Sequence, residues 1–129
     1  MDGYAFKGQA NSSNNDLQKE LKIVGTALAG KPFLGQVGDT ECIKIMTVAL
    51  MPATCDSVIP QELITKVMVN AAQENCLFFS ANAVKVGENR RLQGEDLRLG
   101  QVAIPAGRIL RPSDLGLAAS LGIKSLLVR

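Results

Sequence analysis

Hydrophobic and polar positions change period repeatedly along the chain, and most apolar stretches are short. Residues 1–6 are a brief apolar and aromatic stretch, and residues 8–16, rich in Gly, Asn and Ser, read as loop. Residues 21–28 mix β-branched and apolar side chains and close on Ala29-Gly30-Lys31-Pro32, which predicts a strand ended by a turn. Further strand-like runs occupy 40–49, 57–59 and 77–86, separated by Pro or polar segments. The charged stretch 87–100, punctuated by Gly87, Gly94 and Gly100, predicts an exposed, shaped loop. Two apolar stretches around Pro105-Ala106-Gly107 predict a hairpin over 101–110. One helix is expected over 112–121, with Pro112 near its start, Asp114 in its first turn and Gly122 after its last residue. The apolar run 123–128 then predicts a buried strand. The sum is a mainly β domain with one or two helices rather than a series of β-α units.

Composition narrows the function classes. A chain of 129 residues with 47% hydrophobic and 20% charged residues has ordinary globular composition. Its net charge of +2 and its four Phe and one Tyr argue against a nucleic-acid partner. No apolar run approaches the ~20 residues that span a bilayer, and the start lacks the pattern of a signal peptide, so neither membrane nor secretion is expected. Cys42, Cys55 and Cys76 are odd in number and widely spaced, which favours reduced thiols and a cytoplasmic location. Histidine is absent, which removes hydrolytic triads and His-ligated metals.

Chemistry must then rest on carboxylates, hydroxyls, basic groups or backbone dipoles. Asp2 beside Gly3 is either a carboxylate for a metal or a donor, or a turn residue capped by its own backbone. Thr47 is either a hydroxyl presented where a strand turns or an ordinary strand threonine. Glu95 and Asp96, after Gly94 and near Arg90 and Arg91, either organise an oxyanion or Mg²⁺ or form a solvated salt-bridged loop.

Four blocks, taken in order, resemble the molybdopterin molybdenumtransferases, the family of bacterial MoeA and the gephyrin E domain. They are Met1-Asp2-Gly3-Tyr4-Ala5; Cys42-Ile43-Lys44-Ile45-Met46-Thr47 through Pro52 to Ser57-Val58-Ile59-Pro60-Gln61-Glu62; Gly87-Glu88-Asn89 with Arg91 and Gly94-Glu95-Asp96; and residues 101–107 followed by Leu115-Gly116-Leu117-Ala118-Ala119-Ser120-Leu121-Gly122. The chain departs from the family where Thr47-Val48-Ala49-Leu50 replaces the usual Thr-Gly-Ala-Pro, where Lys44 replaces an arginine, and where Arg90 replaces an aliphatic residue.

The resemblance implies an irregular, bifurcated and coiled β-sheet domain like the MoeA N-terminal region. It places 1–110 in a β-rich domain and 111–129 in a helix and strand returning to an elongated domain, the pterin-binding and C-terminal domains lying outside the chain. Family members are much longer, so a central segment of such a protein is expected, inactive by itself. The implied reaction inserts molybdate into adenylylated molybdopterin with Mg²⁺, releasing AMP. Asp2, Thr47 and Asp96 are the implied catalytic residues, Gly3, Arg91 and Glu95 the implied substrate-binding residues, and Asp2 and Asp96 the implied metal ligands. Implied partners are a second copy, in a homodimer whose site forms between subunits, and the molybdopterin adenylyltransferase. The alternative is a non-catalytic β-rich dimerisation or scaffolding module.

Overall fold

The computed structural model describes residues 2–11 and 17–128. These group into two compact units, Met1–Arg90 and Arg91–Arg129.

The first unit is one six-stranded sheet: β1 (Gly3–Phe6), β2 (Gln18–Ala27), β3 (Glu41–Ile45), β4 (Ser57–Pro60), β5 (Ile64–Val69) and β6 (Asn75–Ser80), in the order β4-β1-β3-β2-β6-β5. All neighbours are antiparallel except β2 and β3, which run parallel with a bulge between Ile23 and Gly25. Side chains of β1, β3 and β4 enter two cores, whereas β2 begins by alternating exposed and buried positions and β5 leaves its side chains largely exposed. Successive residues of a strand point to opposite faces. Accordingly Ala5, Ile43, Ile45 and Val58 join one core with Ala27, Val37 and Cys55, while Phe6, Cys42 and Ile59 join another with Leu21, Leu77 and Phe79. Burying side chains such as Leu21, Ile43 or Leu77 contributes about 1.5–3 kcal/mol each. Phe6 and Phe79 meet tilted, with ring centroids 5.4 Å apart.

The second unit contains one helix, α1 (Pro112–Ser120). Its ends follow the expected signals. Pro112 occupies the first turn, the Arg111 N–H donates to Asp114 Oδ2 at 2.8 Å, and Arg108 pairs with the same carboxylate. At the other end Gly122, with φ +75°, donates to the Ala119 carbonyl while the Ile123 N–H reaches the Ala118 carbonyl, a Schellman closure.

Four points of the sequence reading are corrected. Residues 123–128 form no strand and are largely exposed, Leu127 fully so, because no neighbouring strand pairs with them among the described residues. Residues 101–110 turn at Gly107, with φ +82°, but the flanking segments make no ladder, and Val102 and Ile109 face outward. The segment 64–69, unrecognised in the sequence, is strand β5. The expected strand over 77–86 is shorter and shifted, since the chain turns at Ala81. Residues 12–16 of the expected loop lie outside the described residues.

Candidate functional site

Asp2 and Thr47 come from two sequence blocks and are brought together by the sheet. β1 pairs with β3 so that Gly3 faces Ile45, which sets Asp2 beside the turn leaving β3. Gly3 is buried, and a Cβ there would collide with the Ile59 carbonyl oxygen on β4, so its glycine permits the close approach of β1 to β4. The Gln61 N–H donates to the Asp2 carbonyl at 3.2 Å, fixing the backbone from the other side.

The turn itself spans 46–49. The Met46 N–H donates to the Ala27 carbonyl at 3.1 Å, and the Ala49 N–H donates back to the Met46 carbonyl at 3.0 Å. Val48 occupies the third position with φ +66°. That is the conformation which favours glycine in a type II turn, and it costs a β-branched residue roughly 1–2 kcal/mol. The Val48 side chain is 88% exposed, so no packing offsets this strain. The position that the sequence marked as departing from a family glycine is thus a left-handed one.

Asp2 Oδ1 accepts both the backbone N–H and the hydroxyl of Thr47, each at 2.9 Å. The Thr47 N–H, then its hydroxyl, hold the Asp2 carboxyl below the usual carboxylate range, against a smaller opposing effect of burial and with help from the Lys44 charge. Thr47 is exposed, so an ionised carboxylate and a hydroxyl face outward at this turn, with the Lys44 charge close enough to act on Asp2.

A second polar hub, missed in the sequence, ties the third block to β4. Buried Ser57 donates to Asp56 Oδ1 at 2.6 Å and accepts the Gly87 N–H at 2.8 Å. Asp56 also accepts the N–H groups of Gly8 and Gln9. Burial pushes the Asp56 carboxyl up, but the Ser57, Gly8 and Gln9 donors together with Arg90 outweigh it and leave it lowered. Beyond Ser57, the Val58 N–H donates to the Glu88 carbonyl and Asn89 Nδ2 donates to the Val58 carbonyl. The outer edge of β4 is therefore capped by 87–89. The Asp56-Ser57 pair was the available sequence signal for this hub.

In the second unit Arg91 pairs with Asp96 at 2.7 Å, both side chains largely exposed. Glu95 closes its own turn: its carboxylate accepts the Leu92 N–H at 2.9 Å, its N–H donates to the Leu92 carbonyl, and Gly94 between them has φ +80°. These contacts form a salt-bridged loop. An exposed pair of this kind contributes about 0–1 kcal/mol. Asp2 with Thr47, and Arg91 with Asp96, are two separate pairs in two units.

A divalent cation such as Mg²⁺ takes about six oxygen ligands. Among the described residues no three acidic, His or Cys side chains gather. Asp2 and Asp96 each already accept donors on one oxygen, and the described residues do not compose a resident metal site by themselves.

The family "MoeA N-terminal region (domain I and II)" matches residues 1–122. The chain is 36% identical over 125 residues to the molybdopterin molybdenumtransferase of Haemophilus influenzae, covering 95% of this chain and 28% of that protein. To the molybdopterin molybdenumtransferase of Synechococcus elongatus it is 33% identical, covering 98% of this chain and 30% of the relative. The crystal structure of the molybdopterin biosynthesis MoeA protein from Pyrococcus horikoshii OT3 superposes with a TM-score of 0.81 at 28% identity, over 96% of this chain and 31% of that one. The chain thus spans under a third of the length of these relatives, and with its mostly β architecture and late helix it belongs to the MoeA N-terminal region family.

Proposed function

We propose that the chain is the segment of a molybdopterin molybdenumtransferase that presents the Asp2–Thr47 turn to molybdate and adenylylated molybdopterin. The observation that carries this reading is the double grip of Asp2 Oδ1 on Thr47, which holds a carboxylate and a hydroxyl outward at one place. Oxyanions are bound by donors and hard cations by oxygen, and neither needs histidine. In the resting geometry the Thr47 hydroxyl donates to Asp2. Rotation about its Cβ–Oγ bond redirects that proton to a molybdate oxygen, while the Thr47 N–H keeps the turn tied to Asp2. Lys44 adds positive charge for the incoming anion.

The remaining parts of the reading are assigned on the family relationship. Asp96 and Arg91 serve the same reaction from the second unit, and Glu95 shapes the turn that carries them. Gly3 acts through the close packing that places Asp2. The family domain division at 110/111 stands beside the compact units found here. Asp2 and Asp96 would each offer an oxygen to a Mg²⁺ whose other ligands come from outside the chain, and the ion would supply charge neutralisation there. The site is completed by the pterin-binding domain of a second subunit in a homodimer, so this segment alone is inactive. The molybdopterin adenylyltransferase delivers the substrate in the cytoplasm, which suits the three buried free thiols. Among the described residues no helix is long and apolar enough to cross a membrane.

The test is molybdate-dependent cofactor formation by the full-length parent carrying Asp2→Ala, Thr47→Ala or Asp96→Ala. Loss of one positioned polar group is expected to lower turnover by on the order of 10²-fold. Parental rates in all three variants would remove the transferase reading from these residues.

A further inference from the structure

The turn 46–49 is held by bonds that do not use its central peptide. The Met46 N–H donates to the Ala27 carbonyl, the Ala49 N–H to the Met46 carbonyl, and the Thr47 N–H to Asp2 Oδ1. The peptide between Thr47 and Val48 carries the Thr47 carbonyl and the Val48 N–H, and that N–H has no partner among the described residues. Val48 is left-handed, with φ +66°, and Thr47 is not, which makes the turn type II. A type I turn differs from it by one crankshaft rotation of the central peptide, which takes ψ of the second residue from about +120° to about −30° and φ of the third from about +80° to about −90°. The path of the chain and the bonds that hold the turn survive this rotation. Val48 leaves the left-handed region, and the Thr47 carbonyl exchanges its surroundings.

Strained backbone persists where the surroundings over-determine it. Thr47 and Val48 are both exposed, and no packing fixes the valine in its left-handed state. Type I is the commonest turn and suits any residue at its third position, so the two forms lie close in free energy here. The rotation reverses an N–H and a carbonyl beside the Thr47 hydroxyl, and a bound anion discriminates between the two forms through that difference.

We propose that the Thr47–Val48 peptide is a two-position switch in the Asp2–Thr47 site: the chain exchanges between the strained type II turn and a relaxed type I turn, and an oxyanion held at Thr47 selects type II, the form that leaves the Val48 N–H open to it. The selection by an oxyanion rests on the transferase reading, whereas the exchange does not. Because only the type II fraction is competent, Val48 lowers the apparent affinity for the anion by that fraction. Val48 is in this sense a positioning residue, acting through the turn that carries Thr47.

The exchange is read by NMR on the 129-residue chain. The flip carries the Val48 amide proton from beside the Thr47 Hα in type II to beside the Thr47 amide proton in type I. The wild type is expected to show both nuclear Overhauser contacts, with relaxation dispersion at the Val48 and Ala49 amides. Val48→Gly and Val48→Asn, which tolerate the left-handed region, keep the Hα contact alone and lose the dispersion, while Val48→Ala, smaller but still strained, keeps both contacts. In the full-length parent, Val48→Gly and Val48→Asn lower KM for molybdate about tenfold with kcat little changed, the effect of a competent fraction near one tenth. Val48→Ala stays close to wild type, which separates strain from loss of bulk, and a change in stability alone does not split KM from kcat. A wild type with the Hα contact alone and no dispersion, a Val48→Gly chain that keeps the dispersion, or an unchanged KM in both relaxed variants would each overturn the proposal. A parent without molybdate-dependent turnover removes the transferase reading instead, and the NMR contacts still decide the switch.

Discussion

Asp2 Oδ1 binds the backbone N–H and the hydroxyl of Thr47 at the same distance, 2.9 Å, although the two residues lie 45 positions apart in the chain. The carboxylate both orients the hydroxyl and closes the turn that presents it. Its titration should report the contact. Because the folded carboxyl lies below its ordinary value, its contribution to stability is present above the unfolded value of about 4 and is lost as pH falls through the lower folded value. An NMR pH titration of the Asp2 side chain should therefore show a midpoint below that of an unfolded reference. Thr47→Val should move it part of the way back, since the backbone N–H remains. An unmoved midpoint would mean that the hydroxyl bond is not formed in solution.

Val48 adopts φ +66° next to this contact, with no packing to justify a branched side chain there. Val48→Gly should stabilise the chain by about 1 kcal/mol, the relief of left-handed strain exceeding the entropy of the added glycine. The measurement is a urea midpoint that rises with unchanged slope. A fall in the midpoint would show that the turn is not left-handed at 48.

The Asp56-Ser57 pair joins three segments, with Asp56 holding Gly8 and Gln9 and the fully buried Ser57 hydroxyl holding Gly87. Ser57→Ala leaves the Gly87 N–H without its acceptor and should cost about 1–3 kcal/mol. It should also raise the Asp56 titration midpoint, since a donor to that carboxylate is lost. A stability change within about 0.5 kcal/mol, as for an ordinary surface site, would rule out the hub.

Gly122 closes α1 with φ +75°. Gly122→Ala is expected to destabilise the second unit by about 1 kcal/mol, read as faster amide exchange at Gly122 and Ile123. Equal exchange in both forms would argue against the Schellman closure.

What the sequence discloses depends on how local the cause is. Pro112 and Gly122 act within one turn, and the helix between them is readable directly. The apolar run 123–128 looks like a buried strand, but a strand needs a partner, and none pairs with it among the described residues. β5 hides for the opposite reason: Ile64-Thr65-Lys66-Val67-Met68-Val69 has its pairing partner after the tight turn organised by Asn70, which the composition does not advertise. Asp2 and Thr47 could each be nominated from the sequence. Their hydrogen bonds could not, because strand register joins them. The Asp56-Ser57 hub escaped notice since its partners, Gly8 and Gly87, lie far away in both directions.

The central claim is that Asp2 and Thr47 act as one unit in molybdate insertion, and a double-substitution cycle in the full-length parent tests it most directly. Residues acting as a unit are non-additive. Asp2→Ala combined with Thr47→Ala should lower cofactor formation no further than the more damaging single change. Losses that multiply would show two independent roles, and would contradict the shared site built on the Asp2 carboxylate.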